Sequence, residues 1–366
     1  MPRFSGQRQF DHSSPDRLGI LLSNLGTPDA PTPKALRRYL GEFLSDPRVI
    51  ELPRPIWWLV LNLIILRTRP SKSAEAYASV WTDEGSPLLA ICKRQRNALQ
   101  ELMDQRFENP PLVALGMRYG NPSIESAVKE LISAGARRLL VLPLYPQYGS
   151  AITASTFDEV TRVLQGYRWV PQLRFVNSYH DDEAYIGAVA QSLREHWQTN
   201  GRGDILVFSF HGIPRQSMLA GDPYYCHCLK TARLVAERLH LAEDSWKVTF
   251  QSRLGPAEWL QPYTAATMEE LGKARTRRVD VICPGFSADC VETLEEIQLE
   301  NRDIFQEAGG GEFSYVPALN DREDHIEALY DLVVRHASGW PEVSRGEGPL
   351  TAEDTVKRAL AMGAAR

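Results

Sequence analysis

The sequence predicts an α/β fold of two similar, Rossmann-like doubly wound lobes flanking a cleft, and three observations carry that reading. Short apolar runs alternate with helix-length amphipathic stretches, the pattern of parallel sheets covered by helices on both faces. Residues 205–214, ILVFSFHGIP, read as a strand buried on both faces, since five of the six residues from Ile205 to Phe210 are apolar. The strand breaks at Gly212 and Pro214, which delivers His211 to its end, where open α/β sheets bind ligands. The third observation is an internal duplication. LLSNLGTP at 21–28 matches VFSFHGIP at 207–214, with Leu25 in the position of His211. Residues 118–122 resemble 253–256, and 137–143 resemble 277–284. Three matches in one order imply two related halves, about 15–175 and 180–335.

The expected division is a polar leader at 1–17, a first lobe at 18–175, a second at 176–338 and a polar tail at 339–366. In the first lobe, 18–23 is a strand closed by Gly26-Thr27-Pro28, and 32–44 is a helix with Pro33 in its first turn. Residues 56–66, IWWLVLNLIIL, are the most apolar run and fall short of the about 20 residues that a membrane span needs. They read first as a buried helix. The alternative is an amphipathic lip, in a segment of about 46–90, whose Trp57, Trp58 and Leu61 meet an apolar ligand or a membrane surface, and the two adjacent tryptophans, which cannot both face one core, speak for it. Further strands are expected at 112–115, 138–142, 173–176 and 279–283, and further helices at 122–135, 184–197, 226–239 and 262–273.

Composition excludes several classes. The chain has 366 residues and a net charge of −5, which argues against a nucleic-acid partner held by a basic surface. It lacks a GxGxxG motif and a P-loop, so a nucleotide is not the indicated ligand. An odd count of five cysteines points to reduced thiols and, with no secretory leader or membrane span, to a cytoplasmic protein.

The chemistry concentrates in residues 283–300, CPGFSADCVETLEEIQLE. Glu292, Glu296 and Glu300 recur every four residues and stack on one helical stripe, with Ser287 or Asp289 as a cap. A carboxylate row beginning just past a strand end can hold a divalent cation or carry protons. His211 and Glu292 are expected to share a crevice, where imidazole and carboxylate suit Fe²⁺, Zn²⁺ or Co²⁺ as well as proton abstraction. Tyr145 in the loop 145–150, with Arg118, Tyr119 and Trp259, supplies candidate walls for an aromatic ligand. Together these ask for a large, flat, partly apolar ligand that exchanges protons or metal. Cys226-His227-Cys228 is a weaker metal motif.

These residues resemble the ferrochelatases, through LSNLGTP (22–28), GSPL (85–88), MRYGNP (117–122), LYPQYG (144–149), SFHGIP (209–214), GDPY (221–224), QSRLGPAEWLQPYT (251–264) and CPGFSADCVETLEEI (283–297). The resemblance implies a two-lobed, chelatase-like fold around a porphyrin cleft and the insertion of Fe²⁺ into protoporphyrin IX, the last step of haem synthesis. It implies that His211 handles pyrrole protons or metal, that Glu292 is the essential glutamate, and that Glu296, with Glu300 and Asp289, relays protons or metal. Leu25, Arg118, Tyr119, Tyr145 and Trp259 match porphyrin-binding positions, and the lip matches a segment that approaches porphyrin and, in some members, membrane. Coproporphyrin ferrochelatase, a cobalt chelatase of the same fold and a non-catalytic tetrapyrrole carrier are the alternatives. Cys290 stands where many members have a second histidine. No resident cofactor is expected beyond the substrate Fe²⁺; Cys226, Cys228, Cys283 and Cys290 are the candidate ligands for a [2Fe-2S] cluster, and one on a C-terminal extension is excluded because no cysteine follows Cys290.

Overall fold

The computed structural model describes residues 4–6, 12–13, 16–253, 255, 257–343 and 352–364. The first half runs β1 (Arg17–Thr27), α1 (Pro33–Phe43), α2 (Arg54–Val60), α3 (Leu66–Val80), α4 (Pro87–Arg106), β2 (Leu112–Gly120), α5 (Ile124–Ser133), β3 (Ala136–Pro143), α6 (Ser155–Leu164) and β4 (Gln172–Phe175). The second runs α7 (Glu183–Asn200), β5 (Ile205–His211), α8 (Arg215–Leu219), α9 (Tyr224–Arg238), β6 (Trp246–Gln251), α10 (Thr264–Lys273), β7 (Arg278–Ile282), a π-helix (Glu292–Asn301), α11 (Arg302–Glu307), β8 (Glu312–Val316) and α12 (Glu323–His336), with α13 (Ala352–Ala361) in the tail. Capping follows the sequence: Thr32, Ser123 and Asp182 each accept a backbone N–H at the start of α1, α5 and α7.

Two four-stranded parallel sheets result, ordered β2-β1-β3-β4 and β6-β5-β7-β8. The identical order bears out the duplication. Its middle match shifts, however. Asn24 pairs with Met117 and Phe210 with Phe250, and Met117 and Phe250 each donate their N–H to a proline carbonyl, Pro122 at 2.6 Å and Pro262 at 2.8 Å. The counterpart of Arg118-Tyr119 is therefore Gln251-Ser252, and the second lobe makes a longer excursion before its proline, carrying Trp259. Leu254 and Pro256 of the expected match lie outside the described residues.

Alternation along the strands splits the core into three. Leu18, Ile20 and Leu22 of β1 and Leu206, Phe208 and Phe210 of β5 face one shared core filled by α4, α7, α9 and α12. Leu21, Leu139 and Val141 face an outer core under α5 and α6, and Val207, Val279 and Val281 another beneath α10, the π-helix and α11. The lobes also interlock by polar contacts: Gln95 of α4 donates to the carbonyls of Ser287 (2.8 Å) and Asn320 (2.9 Å). Gly26, at φ +107°, is required where β1 meets β2, because a Cβ there would stand 1.8 Å from the Tyr119 carbonyl oxygen.

The lip is one helical run from α2 through a π-wound turn at Leu61–Ile65 into α3. Only part of the expected surface is exposed. Trp58 is 61% exposed beside Ile56, Leu59, Leu63 and Ile64, whereas Trp57 and Leu61 are buried, Trp57 donating its Nε1–H to the Leu44 carbonyl at 2.6 Å. Neighbouring tryptophans point about 100° apart on a helix, so one took the core and the other the surface. No helix among the described residues is long and apolar enough to cross a membrane.

Candidate active site

His211 closes β5, and its Nδ1 lies 2.6 Å from the Gly212 carbonyl oxygen. A carbonyl only accepts, so Nδ1 carries a proton and Nε2 is the ring nitrogen left free to face the cleft. The ring stands 6.4 Å from the Trp259 ring at 54°. Gly212 makes room for this arrangement: a Cβ there would meet the Gln251 carbonyl at 2.9 Å and Trp259 at 3.1 Å.

The acidic row occupies the π-helix, a winding rare enough to mark functional sites. Glu292 and Glu296 are half-buried and Glu300 is exposed, so the row leads from the cleft toward solvent. Glu296 accepts from the Ser252 N–H at 2.7 Å and from the Ser252 hydroxyl. Burial pushes its carboxyl above the usual range, against the pull of Ser252 and His211. Glu295, which sequence reasoning passed over, is also raised, first by burial and then by Glu300, while Lys72 of α3 opposes the shift. Facing the row from the first lobe are Tyr39 and Tyr77, both held far above the usual phenol range, Tyr39 by burial and then by the Glu292 charge.

Asp289 stands apart from the expected relay. Its oxygens accept from Thr293 (3.0 Å), Tyr315 (2.6 Å), the Ala318 N–H (3.3 Å) and Asn320 (2.7 Å), which makes it the anchor of the π-helix start on β8.

On the first-lobe side, Leu25 is half-buried and Tyr145 is buried. Arg118 pairs with buried Asp46 at 2.5 Å and donates its Nε–H to the Ser155 hydroxyl at 2.7 Å. The Tyr119 hydroxyl donates to Asp46 at 2.8 Å, and its ring is fully buried against Phe43, so it backs the wall rather than lining it. Burial pushes the Asp46 carboxyl up, but Ser155, the Arg48 N–H, Tyr119 and Arg118 together hold it below its ordinary value. Asp46, Ser155, Tyr39 and Tyr77 carried no sequence signal; Gln251 and Ser252 did, as the opening pair of QSRLGP.

Cys226 is exposed and Cys228, Cys283 and Cys290 are buried, with burial raising the three buried thiols. Among the described residues no three His, Cys, Asp or Glu side chains gather closely enough to hold a metal ion, the four cysteines and the His211–Glu292–Glu296 group included.

The ferrochelatase family model matches residues 17–337. Proteins named ferrochelatase in Thioalkalivibrio sulfidiphilus and Nitrosococcus oceani are 58% identical over 366 residues and 52% identical over 365, each alignment covering 99% of both chains. Among solved structures, SirB from Bacillus subtilis with Fe³⁺ superposes with a TM-score of 0.52 at 14% identity, over 88% of this chain and 96% of that one, a likeness of fold. With two equal sheets, a strand-end histidine and this degree of identity along its whole length, the chain belongs to the ferrochelatase family.

Proposed function

We propose that this metal chelatase inserts Fe²⁺ into protoporphyrin IX to form protohaem, with His211 and Glu292 at the reacting centre. The observation that carries the reading is the electrostatic interaction of the strand-end imidazole of His211 with Glu296, within a row of half-buried carboxylates. A free-base porphyrin is flat, and two N–H protons occupy the hole that iron must enter. Insertion needs a bent ring, which turns a nitrogen lone pair out of plane, and a base. A cleft walled by Leu25 on β1, Tyr145 just past β3 and Trp259 on the loop after β6 binds the bent ring better than the flat one, which is complementarity to the transition state. Nε2 of His211 takes a pyrrole proton. Glu292 and Glu296 then pass protons outward to Glu300, or bring iron inward along the same row, with His211 and Glu292 as its transient ligands.

Two features favour protoporphyrin over rings with more carboxylates. The Arg118 guanidinium is already matched by Asp46, and the exposed lip is Ile, Trp and Leu. That lip, flanked by Arg54, Arg67 and Arg69, fits peripheral contact with the cytoplasmic face of a membrane. The test is anaerobic absorbance with Fe²⁺ and protoporphyrin IX, with coproporphyrin III in parallel. Catalytic loss of the free-base bands with protoporphyrin is expected. Preference for coproporphyrin moves the enzyme to that substrate, and stoichiometric binding without metallation leaves a carrier.

A further inference from the structure

Gln251 ends β6 beside His211, and its carbonyl accepts the Gly212 N–H at 2.8 Å. Its side chain is buried and both ends of its amide are engaged. Oε1 accepts from the Ser209 hydroxyl at 2.8 Å and from the Cys283 thiol at 3.6 Å. Nε2 donates to the Glu292 carbonyl at 2.8 Å and toward Glu296 Oε2 at 3.4 Å. One amide thus joins β5, the residue that follows β7 and the π-helix. Ser252, next in sequence, donates both its N–H and its hydroxyl to the Glu296 carboxylate. It does so at φ +65°, a left-handed conformation that is strained for a serine and persists because its surroundings hold it.

We infer that Gln251 and Ser252 are positioning residues for metal insertion, a clamp that keeps the acidic row in register with His211. Gln251 holds the backbone of the row at Glu292, and Ser252 holds the Glu296 carboxylate. The inference rests on the proposed reading in which Glu292 and Glu296 handle iron or protons. The amide is the group this place requires, because it must accept from β5 and donate to the helix at once. A glutamate of the same shape keeps the acceptor for Ser209, gives up the donors, and sets a second carboxyl against Glu296.

The test uses the full chain, with Q251E, S252A, E292Q and E296Q compared anaerobically for kcat, KM for Fe²⁺, and protoporphyrin affinity by fluorescence quenching. Q251E is expected to lose about 10- to 100-fold in kcat/KM for Fe²⁺, the usual cost of removing a partner that orients a ligand, with porphyrin affinity unchanged. S252A moves the same parameter by a smaller factor. Loss of porphyrin affinity in proportion to the loss of iron kinetics would make the clamp a general structural feature and overturn the inference. Wild-type kinetics in Q251E beside crippled E292Q and E296Q overturns the clamp alone. Wild-type kinetics in all four variants overturns the reading of the acidic row beneath it. Should Q251E fail to fold, S252A, which deletes one hydroxyl and leaves the amide in place, decides by the same criteria.

Discussion

Replacing Asp46 by Asn tests how the first-lobe wall is held. Three donors converge on Oδ2: Arg118 Nη2 at 2.5 Å, the Ser155 hydroxyl at 2.6 Å and the Tyr119 hydroxyl at 2.8 Å. Oδ1 accepts the Arg48 N–H at 2.7 Å. An asparagine cannot satisfy this set in either orientation, because its NH₂ must face a donor at one position or the other. The side chains of Asp46 and Arg118 are only 3% and 15% exposed, so the substitution also leaves a nearly buried guanidinium without its counter-charge. Breaking a buried pair from one side costs about 3–5 kcal/mol. Urea unfolding at pH 7 measures the loss. A loss below about 1 kcal/mol, the worth of an exposed pair, refutes the reasoning. The pH dependence gives a second check. The folded-state carboxyl lies below its unfolded value, so its contribution is complete above about pH 4 and disappears as pH falls through the folded value. The gap between wild type and D46N must therefore narrow as pH falls below the ordinary carboxylate range; a constant gap means that shape, not charge, holds Arg118 in place.

His211→Ala is expected to abolish metallation while porphyrin still quenches protein fluorescence on binding; near-normal turnover sinks the proton role. Trp57→Ala is expected to cost about 3–5 kcal/mol in urea unfolding, a buried ring being lost, whereas Trp58→Ala stays within about 0.5 kcal/mol and instead weakens sedimentation with anionic vesicles. Equal stability losses in the two variants would contradict the helix phase. His180 stacks on His227 at 3.6 Å, and burial, then the charge of His227, lower its pKa to about 4. The unfolded chain binds the proton first, so this pair subtracts stability as pH falls from about 6.5 toward 4; H180F, which keeps the stack and loses the proton, should flatten that limb of a pH–stability curve. In the native protein a thiol reagent is expected to modify exposed Cys226 and to reach Cys92, pushed up to about 12 by burial, only after unfolding.

What could be read from the sequence divides along physical lines. Strands β1, β3, β5 and β7 are central in their sheets and covered on both faces, so each is rich in buried apolar residues, although β7 carries the buried Asp280 in its middle. All four edge strands are harder to see; β2 and β4 still show short apolar stretches, whereas the polar residues mixed into β6 (WKVTFQ) and β8 (EFSYV) leave these two without an apolar run. His211 and Glu292 stood out as candidates because a strand break delivers one and a four-residue repeat displays the other. Asp46 did not: its partners Arg118 and Ser155 lie 72 and 109 residues away, and only the folded chain brings them together. The burial of Tyr119, and which of the residues 56–66 turn inward, stayed open for a related reason, since a side chain's apolarity does not state which apolar surroundings it takes.

The corrected duplication explains why the clamp stands where it does. In the first lobe, Arg118 and Tyr119 end β2 and bond to Ser155, at the start of the helix that follows β3 and its π-wound turn at Ser150–Ala154. In the second lobe, the equivalent Gln251 and Ser252 end or follow β6 and bond to Glu292 and Glu296, in the π-helix that follows β7. Each lobe thus ties the end of its second-lettered strand to the helix after its third, across the end of the central strand that carries Leu25 in one case and His211 in the other. The topology supplies the tie, and the residues decide its use. Arg118 with Asp46 closes the first tie into a neutral, rigid wall, while an uncharged amide and hydroxyl in the second leave the Glu296 carboxylate without a cation of its own, dependent on burial, Ser252 and His211. A carboxylate neutralised by a fixed arginine would have little left to offer a proton or an arriving Fe²⁺. One held by neutral donors is not neutralised in advance, which favours the proposal that places the chemistry in the second lobe.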